Sequence, residues 1–260
     1  MAKRPSRKAA KTPERPRLIG AALGPLAYLP WSWGWALFLL ALCGVLTVLT
    51  QVGGLLLWVS LPFLASAAGR LRPWSRIAAG IEAATIFLLL YALACLFVVP
   101  PLAAMGGRVP LPCFGDTLRS RSVLYCALNR HYVRRDLRAL VEDMADAVTR
   151  THPGAKVRTL DAGFPFLDGF PLLPHLSHRN GTAVDLALFY VGRDGWPAPS
   201  PSPLGYQIRV RTSGEATLDD GTIHDVLRWL QDAEVARRDD HIHVQIRQTR
   251  ITPASHPSSD

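Results

Sequence analysis

The sequence predicts a two-part fold: an N-terminal α-helical transmembrane region, followed by a C-terminal α+β domain whose small antiparallel sheet carries a zinc site. Three observations predict it. Apolar residues are concentrated before residue 105, in a chain of 260 residues that is 49% hydrophobic. The second half combines helical periodicity with short alternating stretches. Two segments of that half, 177–185 and 240–243, are rich in residue types that bind metals.

Charge is distributed as unevenly as hydrophobicity. Residues 1–104 contain ten Lys/Arg and two Asp/Glu, a net charge of +8, whereas residues 105–260 carry a net charge of only +1. A nucleic-acid-binding domain needs a basic face on the folded domain, so we expect no nucleic acid as a partner. Basic segments next to apolar ones are typical of contact with anionic membrane lipid, which we expect as a partner instead.

Three apolar stretches predict a transmembrane region over 31–104 with about three spans, at 31–51, 53–69 and 79–103. A helix needs about 20 apolar residues to cross the hydrocarbon core, so the second stretch is short, and Gly53-Gly54 predicts a turn before it. A single span with a buried hairpin is the alternative. The other predicted regions are a basic disordered cytoplasmic tail (1–30), an extracytoplasmic domain (105–251) and a flexible tail (252–260).

The positions of Lys and Arg predict the orientation of these spans. The tail before the first span is basic, and Arg70, Arg72 and Arg76 lie between the second and third spans. Both segments should be cytoplasmic, because cytoplasmic loops are enriched in Lys and Arg. We therefore expect a multi-pass protein of the inner cell membrane with a periplasmic C-terminal domain. A channel or transporter is disfavoured, since the spans lack paired charges.

The C-terminal half predicts two amphipathic helices and three strands. One helix covers 133–150, and the second is capped by Thr222, because apolar residues recur there at helical spacing. The strands are expected over 184–190, 206–211 and 241–246. Four prolines between residues 197 and 203 predict an exposed loop.

Two cysteines of this half, Cys113 and Cys126, are a candidate disulfide. In an oxidising compartment such a pair would close the segment that follows the membrane region. Two free thiols are the alternative.

The chemistry is concentrated in the two segments rich in metal-binding residues. His178 and Asp185 are seven residues apart, and Gly181 allows the backbone to turn between them. His241 and His243 are two apart on a predicted strand, so both side chains should lie on one face. His178, Asp185 and His243 can therefore hold one Zn²⁺, a set of three protein ligands that is typical of catalytic zinc sites.

The two motifs together resemble the LAS group of zinc peptidases, which includes lysostaphin-type endopeptidases, D-alanyl-D-alanine peptidases and the hedgehog signalling domain. They read S-H-x-x-G-x-A-x-D from Ser177 and D-H-x-H from Asp240. The resemblance extends over about residues 130–250. It implies that His178, Asp185 and His243 bind zinc, that His241 assists the transition state, and that Asp240 is the general base. The implied substrates are cell-wall (peptidoglycan) peptides.

One departure from the family pattern concerns substrate binding. D-alanyl-D-alanine peptidases commonly carry an arginine in an upstream S-G-Y-R-like segment, but residues 160–167 contain none. Arg158 or Arg179 would have to bind the substrate instead. The absence of that arginine also keeps open an alternative in which the ligands stabilise a non-catalytic zinc module, as in the hedgehog branch.

Overall fold

A computed structural model describes residues 33–71, 76–172, 178, 180–206, 212–213, 216–230, 234–237 and 241–246. Both predicted tails, 1–30 and 252–260, lie outside the described residues, and so do Arg179 and Asp240. The described part has helices in its N-terminal half and small sheets with two long helices in its C-terminal half, in agreement with the predicted fold class.

The N-terminal half consists of apolar helices. They are α1 (Trp33–Thr50), α2 (Gly53–Leu71) and α3 (Arg76–Leu93), which continues through a π-helical turn (Ala94–Val98) into α4 (Val99–Met105). Two stretches, Trp33–Thr50 and Ile77–Met105, are long and apolar enough to cross a membrane, by length and composition. The predicted span 53–69 falls in α2, whose apolar part covers only Gly53–Ala65.

The turn between α1 and α2 differs from the one predicted. Gln51 carries it, with a φ of 66°, and the two glycines open the second helix. A Cβ atom on Gly54 would lie 2.1 Å from Thr47 Oγ1 and 2.4 Å from the Cys43 carbonyl oxygen. Glycine is therefore required here because the two helices approach closely, and not because of the turn itself.

The C-terminal half is built on a five-stranded sheet with the order β10-β11-β5-β4-β2. Its strands are β2 (Leu118–Ser120), β4 (Val157–Thr159), β5 (Ala183–Ala187), β10 (Glu234–Arg237) and β11 (His241–Gln245). The prediction of an antiparallel sheet is wrong at one edge, where β2 pairs with β4 in parallel. The other pairs are antiparallel.

Two smaller sheets complete this half. β1 (Arg108–Pro110) pairs with β3 (Tyr132–Arg134). A four-stranded sheet has the order β7-β6-β9-β8, formed by β6 (Tyr190–Gly192), β7 (Pro197–Ala198), β8 (Thr212–Ser213) and β9 (Ala216–Leu218). The strand predicted over 184–190 is thus divided, because Tyr190 pairs with Leu218 in this second sheet. Of the strand predicted over 206–211, only Tyr206 is described, and it lies in a loop.

Three helices follow or flank these strands: α5 (Val123–Ala127), α6 (Arg135–Thr151) and α7 (Asp220–Trp229). The predicted helix over 133–150 is confirmed as α6, two residues later because β3 occupies its expected start. The cap predicted at Thr222 is wrong. Asp219 caps α7 by accepting hydrogen bonds from the backbone N–H and the hydroxyl of Thr222, at 3.0 and 2.6 Å.

The core lies between one face of the five-stranded sheet and the helices α6 and α7. Val184 and Leu186 of β5 and Ile242 and Val244 of β11 are fully buried in it. The residues between them in the sequence point to the opposite face, since side chains alternate along a strand. One face of β5 and β11 is therefore committed to the core, and the other is left for polar residues.

Candidate metal centre

Two neighbouring strands place the polar residues opposite each other. β5 and β11 are antiparallel, with His243 directly opposite Asp185 and His241 opposite Ala187. All four residues lie on the face that points away from the core. The prediction that His241 and His243 share a face is confirmed, and Ile242 and Val244 of the same strand lie in the core.

The loop before β5 brings in the third residue, His178. Gly181 has a φ of 67°, in the left-handed region that favours glycine, and its carbonyl oxygen accepts a 2.7 Å hydrogen bond from the Arg134 N–H. The Arg134 guanidinium also donates to the Asn180 carbonyl, at 3.2 Å. Strand β3 therefore anchors the loop that carries His178.

The three predicted ligands meet in a buried cluster. His178, Asp185 and His243 each offer a ligand atom, and these atoms lie within 4.8 Å of one another. His243 Nδ1 is 2.8 Å from Asp185 Oδ1, and His178 Nε2 is 3.2 Å from Asp185 Oδ2. The exposed fractions of the three residues are 1%, 0% and 8%. The cluster can bind a metal ion.

The electrostatics of Asp185 fit that role. Burial by itself would raise its pKa, but hydrogen bonds with His178 and His243 and the charges of His178 and His241 outweigh burial. The pKa of Asp185 is therefore held well below its usual range, so the side chain is a carboxylate. Two imidazole nitrogens and one carboxylate oxygen form a donor set that fits a divalent ion such as Zn²⁺.

His241 lies beside this cluster, as the sequence predicts. Its Nε2 atom is 3.4 Å from Asp185 Oδ1, and the residue is buried. The other residue predicted to be catalytic, Asp240, is outside the described part of the chain.

Tyr206 belongs to the site and was missed by the sequence analysis. Its hydroxyl donates a 2.8 Å hydrogen bond to Asp185 Oδ2, and its ring centroid lies 5.1 Å from that of His241. Burial, followed by the charges of Asp185 and Asp161, raises the pKa of Tyr206, which keeps the phenol protonated and donating. No motif marks this residue, because it follows a proline-rich loop 21 positions after Asp185.

Arg158 lies on the same sheet as the cluster. It is on β4, beside Arg119 of β2 in the parallel pair, and lines a cleft that includes Lys156, Ala187 and Ser200. Burial, followed by the charges of Arg121 and Arg119, lowers its pKa. Among the described residues, no hydrogen bond or ion pair joins Arg158 to the cluster. Arg179, the other predicted substrate-binding residue, is not described.

Two arginines near the His178 loop were not considered from the sequence. Arg108 is buried and contacts the Phe164 carbonyl and the Asp168 carboxylate. Arg134 lies 3.3 Å from the same carboxylate. The structure thus places two guanidinium groups next to the loop, although residues 160–167 contain no arginine.

The predicted disulfide pair is joined in the structure. Cys113 and Cys126 are bonded, with their Cα atoms 6.1 Å apart. The bond connects the end of α5 to the segment before β2 and lies next to His131, another buried histidine. The other cysteines described, Cys43 and Cys95, are free and lie in the apolar helices.

No protein-family model matches this chain, and no curated protein matches it.

Proposed function

We propose that this protein is a membrane-anchored zinc peptidase or amidase of the LAS type, acting outside the cytoplasm on peptidoglycan peptide bonds. The observation that carries the proposal is the buried cluster of His178, Asp185 and His243, with His241 beside it. A purely structural site would not need a further imidazole next to the ligands.

The roles of the residues follow from the donor set and from the motif. His178, Asp185 and His243 would hold the ion. Tyr206 holds the Asp185 carboxylate in place through Oδ2, whereas His243 Nδ1 contacts Oδ1. When bound, Zn²⁺ lowers the pKa of a water molecule from about 15.7 towards about 7 and polarises a carbonyl group. Asp240 accepts a proton from the attacking water and delivers it to the leaving amine, and His241 stabilises the charge that develops on the carbonyl oxygen.

The membrane region supports a location at the cell envelope. Two stretches are apolar and long enough to cross a bilayer, and the ten basic residues before residue 105 precede the first apolar segment or lie at the boundary between the second and third. In the proposed arrangement the N-terminus is cytoplasmic, about three spans follow, and the domain after residue 105 is periplasmic.

A second function, a non-catalytic zinc-stabilised binding module, is favoured by one observation. Residues 160–167 contain no arginine, and among the described residues no hydrogen bond or ion pair joins Arg158 to the cluster. In this alternative the metal would hold the His178 loop and β11 together as a binding surface.

Metal analysis combined with hydrolysis by the purified full-length protein tests the proposal. We expect one zinc per chain, and cleavage of muropeptides detected by mass spectrometry. His243→Ala should lose both zinc and activity, and Asp240→Asn should keep zinc and lose activity. His224→Ala, at an exposed histidine of α7, is the matched control and should keep both.

The outcomes separate the two functions. Zinc that is bound by the wild type and lost in His243→Ala, without hydrolysis of any cell-wall peptide, would favour the binding module. A wild-type protein that binds no divalent metal would refute both.

A further inference from the structure

The apolar stretch Ile77–Met105 is longer than a membrane crossing requires. It contains 29 residues, or about 44 Å of helix, whereas a hydrocarbon core of about 30 Å takes about 20. Tyr91 is the middle residue of this stretch. Every window of about 20 residues within it therefore contains Tyr91, whichever part of the helix crosses. A hydrocarbon core that ended before Tyr91 would have to begin near residue 71. It would then include Arg76, and a charged side chain inside a bilayer is energetically unfavourable.

Tyr91 is in direct contact with the C-terminal half. Its hydroxyl donates a 2.7 Å hydrogen bond to the Ala127 carbonyl oxygen, at the end of α5. The Asn129 amide donates in turn to the Tyr91 hydroxyl, at 3.1 Å, and contacts Cys95 Sγ, at 3.2 Å. Helix α5 is thus held at the level of a residue that lies inside the hydrocarbon core or at its outer edge.

The outer surface of α5 is apolar. Val123 and Leu124 are 59% and 55% exposed, and Phe114, next to the Cys113–Cys126 disulfide, is 69% exposed. Large apolar side chains at such exposure are unfavourable in water. A bilayer at the level of Tyr91 would cover them.

A second contact places the domain at the same level along the helices. The turn between α1 and α2 lies where the span Trp33–Thr50 ends, and its Gln51 Oε1 accepts a 2.8 Å hydrogen bond from the Phe166 N–H. Phe166 and the following residue, Leu167, are also exposed. The exposed apolar residues Phe114, Val123, Leu124, Phe166 and Leu167, which we call the apolar rim, therefore flank the two points where the domain meets the outer ends of the helices.

The metal centre is close to this level. Tyr132 of β3 packs against Val52, Val99 and Ala103 at the ends of the helices. Arg134, two residues later on β3, donates its backbone N–H to the Gly181 carbonyl in the His178 loop, as described above. One three-residue strand thus separates the helix ends from the loop that carries a metal ligand.

We infer that the apolar rim lies in the outer interface of the bilayer that the helices cross, so that the domain is partly embedded in lipid rather than suspended above the membrane. The inference rests on the proposed membrane anchoring, and it is independent of hydrolytic activity. The partner of the rim is the lipid itself. The metal centre then operates at the bilayer surface, where a substrate attached to a lipid would meet it.

Spin labelling of the full-length protein in phosphatidylcholine–phosphatidylglycerol vesicles tests this inference. Nitroxides are attached at Leu124→Cys and, as a second rim site, Leu167→Cys, after Cys43 and Cys95 are replaced and with the disulfide kept oxidised. Leu89→Cys, exposed in α3, is the reference for lipid, and Trp196→Cys, exposed between β6 and β7, is the reference for water. The measurement is the ratio of collision rates with oxygen and with a water-soluble nickel chelate.

We expect labels at 124 and 167 to give ratios shifted towards that at 89 and well above that at 196. Ratios at both rim sites equal to that at 196, with a lipid signal at 89, would refute the embedded rim and leave the anchoring intact. A water-like ratio at 89 would overturn the anchoring and the rim together.

Discussion

Removal of one hydroxyl, in Tyr206→Phe, tests how much Tyr206 supports the proposed metal ligand Asp185. The variant loses the 2.8 Å hydrogen bond to Asp185 Oδ2 and a longer one, of 3.4 Å, that the hydroxyl accepts from the Asp161 N–H. A hydrogen bond to a charged group contributes about 1.5–3 kcal/mol, which corresponds to about a 10- to 100-fold change in an equilibrium constant. The partners that orient metal ligands have effects of the same size on metal affinity. We therefore expect the zinc affinity of Tyr206→Phe to fall about 10- to 100-fold.

The assay is competition for Zn²⁺ between the full-length protein and a chromophoric chelator. Tyr190→Phe is the matched control, because Tyr190 is a buried tyrosine of β6 that packs in the main core, on a different sheet from Asp185. We expect that variant to bind zinc as the wild type does. Equal affinities for the two variants would show that the hydroxyl of Tyr206 does not support Asp185, and the reasoning would be refuted.

Three further predictions concern other residues of the C-terminal half. Burial lowers the pKa of His131 from 6.5 to about 4, so the unfolded chain binds a proton that the folded chain excludes between these values. Stability should thus fall by about 3 kcal/mol as the pH falls through this window, and the melting temperature of His131→Gln should lose that part of its pH dependence. Replacing Cys113 and Cys126 with serine should lower the free energy of unfolding by about 3 kcal/mol, as expected for a closed loop of about 15 residues. A melting temperature equal to that of the wild type would contradict this. Arg158→Gln should raise KM about tenfold or more with zinc content unchanged, if Arg158 binds a substrate carboxylate, whereas Arg150→Gln at the end of α6 should alter neither.

The alternation of residues along β5 and β11 made the ligand cluster predictable from the sequence. Ile242 and Val244 are apolar and the two histidines between and before them are polar, so the face of each side chain follows from the period of a strand. The amphipathic helix α6 was predictable for the same kind of reason, since its apolar residues recur at helical spacing. In these elements a single local pattern determines which side is buried.

Other features depend on contacts between distant parts of the chain, and no local sequence pattern predicts them. The parallel pair β2–β4 joins two strands of three residues, which are too short to show a period. Tyr206 reaches Asp185 only because the proline-rich loop folds back over the sheet, held by Tyr125 and Arg121. The sequence predicts the turn at Gly53-Gly54 and not at Gln51, because a residue with a side chain rarely adopts a positive φ.

The opposed positions of His243 and Asp185 have a consequence for assembly of the sheet. A shift of β11 by one residue would turn Ile242 and Val244 to the polar face and carry both histidines into the apolar core. Such a misaligned chain would lose its packing and its ion-binding set in the same event. A metal ion bound at the centre would therefore indicate that the two strands are correctly aligned. An ion that binds only the correct alignment would stabilise it relative to the misaligned forms during folding.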